Sequence, residues 1–384
     1  MNHFYFDHNA TTPVAPEVLE TLSSCLGEAY GNASSIHHFG QGAKQRMEAA
    51  RRQLASLIGC QPGSLVFTGG GTEADNMAVL GVVRAAHRAA RHAIVSAIEH
   101  PAVLGPCEQL EREGVAVTRL RAGADGLVDA EDVRRALRPE TVLVSIMHAN
   151  NEVGTIQPIA EIARIARASG VTLHVDGVQA LGKIPVDVEA LGVDLYSMSA
   201  HKLYAPKGVG ALYVRKGTAI APIAYGGHHE RDRRPGTENV PGIAAFGAAA
   251  ELAARTLAAE SERLRGLRDR LEKAALERIP RSGVNGSRAR RTPNTANIYF
   301  DGIDGEALVI ALDLGGFAVS TGAACSSGAI APSHVLTGMG LSAERARASM
   351  RFSLGRSNTE EQVDALVEAL VSGVERLRRI AGHA

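Results

Sequence analysis

Cysteine is scarce in this chain, and none of it is paired in sequence. Cys25, Cys60, Cys107 and Cys325 are the only four in 384 residues, far apart and without a C-x-x-C. That excludes a disulfide framework and a zinc site of the usual spacing, and it fits a reducing cytoplasm. Excess charge of one sign is missing too. The 41 basic and 41 acidic residues cancel, so no bulk field points to nucleic acid or an anionic membrane, and neither is expected as a direct partner. The run Arg288-Ala289-Arg290-Arg291 reads as a solvated loop. Residues 1–9 carry neither the basic nor the apolar segment of a secretory signal. The alanine-rich stretch 242–259 includes Glu251 and Arg255, which argues against a membrane span. There is no fixed-period repeat and no low-complexity tract.

What is present is the composition of a soluble globular protein, 45% hydrophobic and 21% charged. The length suits one large domain and a smaller one. Strands are expected at 64–67, 93–98, 115–120, 142–147, 172–175, 195–197 and 211–214, most of them separated by amphipathic segments such as 43–57 and 159–168. That alternation predicts a parallel sheet covered by helices on both faces, with ligands at the carboxyl ends of its strands. A long helix at 242–279 then leads through a connection at 280–294. A smaller α+β region follows, with a strand near 297–300 and helices at 305–314, 343–349 and 359–380.

Lys202 is the most informative residue, because of what precedes it. Asp176 ends one apolar strand, Gln179 follows, and a second strand leads into Ser199-Ala200-His201-Lys202. Pyridoxal phosphate needs such a set: an amine to hold it covalently, a carboxylate facing the pyridinium nitrogen, and polar donors for the ring hydroxyl and phosphate. Each residue also has a plainer role. Asp176 is placed to cap a helix, Gln179 to sit exposed on that helix, and Ser199 and His201 to make a turn.

Other motifs fall at the same edge. Phe67-Thr68-Gly69-Gly70-Gly71-Thr72-Glu73 follows a strand and opens a helix, where glycines and free N–H groups receive an anion. No G-K-[ST] follows, so it is not a nucleotide P-loop. Alone, it is a tight turn with Thr72 as helix cap; beside a lysine corner, a phosphate cradle is the better reading. His100, in E-H-P, is placed to stack on a planar ring and move protons, and is otherwise a structural residue at a strand end. Asn150-Asn151-Glu152 offers amides, or simply Asx turns. Cys325 lies among Gly, Ala and Ser in V-S-T-G-A-A-C-S-S-G-A-I, the composition of an exposed loop. A thiol there is a candidate nucleophile, against the ordinary fate of a small buried apolar residue. Arg351, in M-R-F-S-L-G, is either a strand residue facing polar surroundings or a bidentate holder of an α-carboxylate.

With these residues in view, the chain resembles the cysteine desulfurases of the NifS/IscS type, within the class V aminotransferase family. The matching stretches are F-D-H-N-A-T-T-P, G-N-A-S-S-I-H, F-T-G-G-G-T-E-A-D-N, S-A-I-E-H-P-A-V, H-A-N-N-E-V-G-T-I-Q-P-I, H-V-D-G-V-Q-A, S-A-H-K-L-Y-A-P-K-G-V-G, R-P-G-T-E-N and S-T-G-A-A-C-S-S-G. They run from residue 6 to beyond 320, and Arg351 extends the match. The resemblance implies an α/β protein of fold type I, the fold of pyridoxal-phosphate-dependent transferases. The large domain, with a mostly parallel sheet flanked by helices, is expected at 15–255. A small α+β domain carrying the cysteine loop is expected at 1–14 and 256–384.

The resemblance also implies a homodimer with the cofactor held covalently on Lys202. Asp176 would pair with the ring nitrogen, Gln179 with the ring oxygen, and His100 would stack on the ring. Asn151 would sit beside cofactor and substrate. Gly71, Thr72, Ser199, Ala200 and His201 would form the phosphate site, and Thr237, in P-G-T-E-N, would reach the phosphate of the neighbouring subunit. Arg351 would hold the carboxylate of L-cysteine, and Cys325 would take its sulfur as a persulfide, leaving L-alanine. The sulfur would pass to an acceptor such as an iron–sulfur scaffold or a tRNA-thiolating enzyme. No resident metal is implied, only a transient contact of Cys325 with an iron–sulfur centre. The cysteine loop lacks the R-x-G-H-H-C pattern of the SufS branch. One departure is Gly226-Gly227-His228-His229-Glu230, where the family more often has Gly-Gly-Gly-Gln-Glu. The rival readings are a selenocysteine lyase, a small-amino-acid aminotransferase, or a non-catalytic scaffold. Cys325 argues against the second, and the intact Lys202, Asp176, His100 and Cys325 set against the third.

Overall fold

The computed structural model describes residues 3–87, 90–322 and 332–382. The chain opens with a short strand, β1 (Phe4–Tyr5). Seven more strands build the central sheet: β2 (Leu65–Thr68), β3 (His92–Ser96), β4 (Ala116–Leu120), β5 (Thr141–Ser145), β6 (Thr172–Asp176), β7 (Leu195–Ser199) and β8 (Gly210–Val214). Their order is β2-β8-β7-β6-β5-β3-β4. Strands β3 to β7 run parallel, and β8 is antiparallel to both β7 and β2. Every residue of β2, β3, β5, β7 and β8 is buried, as expected of a sheet covered on both faces. Only edge strand β4 turns side chains outward.

The covering helices follow from apolar spacing. In Ile159–Ala168 the residues Ile159, Ile162, Ala163, Ile165 and Ala166 recur every three or four positions and are buried together. Gly170, at φ 65°, then turns the chain into β6. Truncating Ile162 to alanine there would cost about 2–5 kcal/mol.

A second, antiparallel sheet places β10 (Thr295–Phe300) between β9 (Ser282–Val284) and β12 (Ser349–Ser353), while β11 (Phe317–Ala318) pairs in parallel with β1. It carries its own apolar cluster, including Phe6, Ile298, Phe300, Met350, Phe352 and Leu366. The helix Val240–Arg278 belongs to both cores. Ile243 and Phe246 pack in the main one, Leu264, Leu267 and Leu271 in the second. By length and composition alone that helix is apolar enough to cross a bilayer, but 56% of its most apolar window is buried inside the protein. The expected helix at 343–349 stops at Arg347, because Ser349 already pairs with Tyr299 in the second sheet.

Residues 4–12 tie the two regions together. β1 joins β11, Asp7 bridges to Ser353, and Thr12 donates to the carbonyl of His201 at 2.9 Å. This strap passes directly over the lysine corner.

Candidate active site

The corner itself is one tight turn, Ala200–Lys202, closed by Ala200 N–H to Val209 O at 3.1 Å and Leu203 N–H to Ala200 O at 2.8 Å. It delivers Lys202 beneath the strap, where Nζ donates to the carbonyls of Asn9 (2.5 Å) and Ala10 (2.6 Å). Burial, reinforced by the charge of Arg351, pushes the Lys202 pKa down to about 8, with Asp7 and Asp176 opposing. An amine so placed is far more available as a base or nucleophile than an exposed lysine.

Asp176 ends β6 with only 5% of its surface exposed, and its Oδ1 accepts the N–H of Val178 at 2.9 Å. A turn follows it rather than a helix, so it does not cap a helix. Burial and the nearby charge of Asp75 push its pKa up to about 7, against the influence of His100. A cationic ring nitrogen beside it would reverse that penalty. Sequence reasoning missed the polar layer behind Asp176. His174 bonds Ser145 at 2.8 Å and Ser197 at 2.9 Å and lies 3.4 Å from Asp75. Glu99 accepts from Ser96 Oγ at 2.5 Å and from the Met147 N–H at 2.8 Å, and burial raises its pKa well above the usual carboxyl value.

Gln179 is buried, at 6% exposure, so it is not a surface helix residue. Its Nε2 donates to the same Asn9 carbonyl that receives Lys202, at 2.9 Å. Asn9 Nδ2 in turn donates to the carbonyl of Asn151 at 3.0 Å, and Arg351 Nη1 reaches that carbonyl at 3.2 Å. Asn151 Oδ1 is buried with no hydrogen-bond partner among the described residues. Arg351 also pairs with Asp7 at 2.7 Å. Asn9 and Asp7 lie in the F-D-H-N-A-T-T stretch, which signalled the family without revealing these roles.

The glycine loop meets the helix Gly71–Ala85, whose N-cap, Gly70, makes no side-chain cap bond. Thr72 lies inside the first turn and does not cap it. The first intrahelical bond is Ala74 N–H to Gly70 O at 3.2 Å, so the preceding N–H groups point out of the helix start. They face a cavity of about 630 Å³ lined by Gly69, Gly70, Gly71, Thr72, Ser199, His201 and Lys207. Packing here is close enough to demand glycine. A Cβ on Gly71 would lie 2.9 Å from Val178 Cγ2, and one on Gly210 would lie 2.6 Å from the Gly70 carbonyl carbon. Glu73, the one acid at the cradle, is neutralised by Arg234 at 2.8 Å. Lys207 was not singled out from sequence, although it stands in the quoted A-P-K-G.

His100 begins the helix Pro101–Arg112, and its Nδ1 accepts the Ala102 N–H at 3.1 Å. That bond leaves Nε2 to carry the proton of the neutral ring. Burial lowers the His100 pKa, Asp176 raises it, and Lys202 and His334 lower it again, so the ring is neutral at pH 7. Thr237 is not brought to this site within the chain. It lines a separate cavity with Cys25, Leu26, Tyr30, Gly31 and Asn32. Cys325 lies outside the described residues. Ser320, ahead of it, exchanges backbone hydrogen bonds with Arg351 at 2.6 and 3.3 Å. In the divergent loop, Glu230 buries its carboxylate against Arg51 at 2.6 Å and the Phe67 N–H at 2.8 Å, anchoring the strand that leads into the glycine loop. His228 points to solvent.

A depressed lysine, a buried acid in wait for a cation and an open anion cradle, all at the carboxyl edge of one mostly parallel sheet, fit pyridoxal phosphate and define an enzyme of its fold type I. The aminotransferase class-V family matches residues 4–366, and the chain belongs to it. It is similar to the cysteine desulfurase IscS of Dictyoglomus turgidum, 47% identical over 379 residues, covering 99% of this chain and 96% of that one. Among solved structures, a NifS-like protein superposes with a TM-score of 0.92 at 37% identity, covering 98% of this chain and all (100%) of that one. SspA in complex with cysteine superposes with a TM-score of 0.81 at 35% identity, covering 91% and 98% of the two chains.

Proposed function

We propose that this protein is a cysteine desulfurase that converts L-cysteine to L-alanine and receives the sulfur on Cys325 as a persulfide. One observation supports this reading above others. Arg351, the group suited to the substrate's carboxylate, is hydrogen-bonded through its backbone to Ser320, at the start of the stretch that carries Cys325. The substrate anchor is thus tied to the last described residues ahead of the cysteine stretch.

Bound pyridoxal phosphate supplies the electron sink that acidifies the substrate's α-proton. Lys202 would hold the cofactor and would be the base for that proton, a task that a pKa near 8 suits. Asp176 would keep a proton on the ring nitrogen, and Gln179 and Asn151 would present amides to the ring. Gly71, Thr72, Ser199, Ala200 and His201, with Lys207, receive the phosphate. His100 would stand beside the ring, with Nε2–H free to donate. Arg351 exchanges Asp7 for the substrate carboxylate. The Cys325 thiolate attacks the substrate Sγ, forming an S–S bond as the Cβ–S bond breaks. The bonding pair stays on carbon, which a proton completes as the methyl group of alanine. Substrate carbon is reduced and thiol sulfur oxidised, so no further oxidant is needed.

The reading extends to a cytoplasmic homodimer that hands sulfur to an iron–sulfur scaffold or a tRNA-thiolating enzyme. In support of the dimer, Leu26 and Tyr30, which line the cavity that holds Thr237, are exposed, as are Phe39, stacked on Tyr30, and Ile36, the last by 93%. A second copy covering that face would let Thr237 act across the interface. The test is incubation of the purified protein with L-cysteine and a reductant. Sulfide and alanine should appear in equal amounts; alanine without sulfide, or neither product, would refute the reading.

A further inference from the structure

Lys183 is a buried lysine that the reaction above does not use. It is 9% exposed, and its Nζ donates to Asn9 Oδ1 at 2.9 Å and to Gln179 Oε1. We propose that Lys183 is a positioning residue, which fixes the end of the Gln179 amide that faces the cofactor's ring oxygen. The inference rests on the reading of Gln179 as the partner of that oxygen.

An amide presents either two donors or an acceptor, according to which way it is turned. Here both neighbours agree on the choice. The Asn9 carbonyl can only accept, and Gln179 Nε2 faces it at 2.9 Å. Lys183 donates to the opposite end, holding the Gln179 oxygen away. The remaining N–H of Gln179 is then the group left for a ring oxygen, beside the Lys202 amine that shares the Asn9 carbonyl. A flipped amide would set oxygen against the Asn9 carbonyl oxygen and N–H against the Lys183 amine, donor facing donor.

The frame is itself rigid. Asn9 Oδ1 also accepts from Asn294 at 3.1 Å, and Asn9 Nδ2 donates to Thr295 Oγ1 at 2.9 Å. Burial, with the charges of Lys202 and Arg351, holds the Lys183 pKa well below the ordinary lysine value. An apolar side chain would fill such a position at less cost, so the lysine is there for its donors.

The test is titration of the cofactor-free protein with pyridoxal phosphate, reading the dissociation constant and the visible absorption maximum. Lys183→Met should weaken binding about tenfold, the scale of one lost hydrogen bond, and shift the band. In a Gln179→Ala background the same change should do nothing further, because the two act as one unit. Equal losses in both backgrounds, or no loss with Gln179 intact, would overturn the proposal. If Gln179→Ala alone changes neither readout, the reading of Gln179 has failed, and the proposal falls for that separate reason. Should Lys183→Met not fold, Gln179→Glu decides: it keeps an acceptor for Lys183 but offers the ring oxygen no donor. It should bind at least as poorly as Gln179→Ala, and wild-type affinity would overturn the assigned orientation.

Discussion

Arg351 Nη2 stands 2.7 Å from Asp7 Oδ1, so the cation suited to the substrate's carboxylate already holds a carboxylate. Both partners also act on Lys202, in opposite directions: Arg351 lowers its pKa and Asp7 raises it.

In the proposed role Lys202 would capture the cofactor only as the free amine, which predominates above its pKa of about 8. Asp7→Asn should therefore move the midpoint of capture to lower pH, and Arg351→Ala should move it to higher pH. Arg351→Ala should also raise KM for L-cysteine about 100-fold, the scale of a lost charge-assisted pair. The rate of pyridoxal phosphate uptake against pH checks the first part, and midpoints in the reverse order would contradict it.

Asp176→Asn should separate stability from activity. The folded pKa of Asp176 is raised to about 7, so the cofactor-free protein binds a proton on folding and loses stability as pH rises from about 4 to 7. The asparagine variant escapes that loss. Its cofactor-free form should gain stability over the parent across this window, levelling above pH 7 at roughly 2–4 kcal/mol, since one pKa unit is about 1.4 kcal/mol. Desulfurase activity should nonetheless collapse. Chemical denaturation at pH 5 and pH 8 measures the difference.

Gly210→Ala tests the phosphate cradle from behind. The new methyl would lie 2.6 Å from both the Gly70 carbonyl carbon and Met198 O, so backbone must shift. Affinity for pyridoxal phosphate should fall at least tenfold, by a displaced hydrogen bond or more. An unchanged dissociation constant would show that the glycine loop does not carry the phosphate.

Cys325→Ala should leave the bound cofactor's absorption intact and abolish sulfide release. Burial pushes the thiols of Cys60 and Cys107 up to about 12, so neither forms a thiolate near neutral pH, and their alanine variants should retain activity. Mass spectrometry after cysteine treatment should place the added sulfur on the peptide containing Cys325.

The central sheet was legible because its strands are short apolar runs with helical spacing between them. The expected 172–175 and 211–214 became Thr172–Asp176 and Gly210–Val214. The reversal of β8 was not anticipated from sequence; its physical reason is the short link after β7, since a parallel return needs a longer crossover. Lys202, Asp176, Gln179 and the glycine loop were singled out by residue type at or just past strand ends, and Arg351 within a strand. The structure brings Lys202, Gln179 and Arg351 together around Asn9 and Asn151, although Arg351 belongs to the second sheet. Lys183, Asp7 and Asn9 were not found. Lys183 resembles any loop lysine, and Asp7 meets Arg351 across 344 positions of sequence, where no local pattern reaches. Thr237 was carried by resemblance alone, and within one chain it stands apart from the cradle.

The strap over the lysine has a consequence for the order of assembly. Asn9 is held by Ser353 Oγ at 2.9 Å and by Thr295 Oγ1, and β1 pairs with β11. The segment around Asn9 therefore finds its place only after residues far later in the chain, up to Ser353, have emerged from the ribosome. The central sheet forms from contacts closer in sequence, whereas the strap must wait, because such distant pairings are the slowest to close. The frame around Lys202 is thus completed only once β12 has been made, and a nascent chain stalled before β12 would carry Lys202 without it.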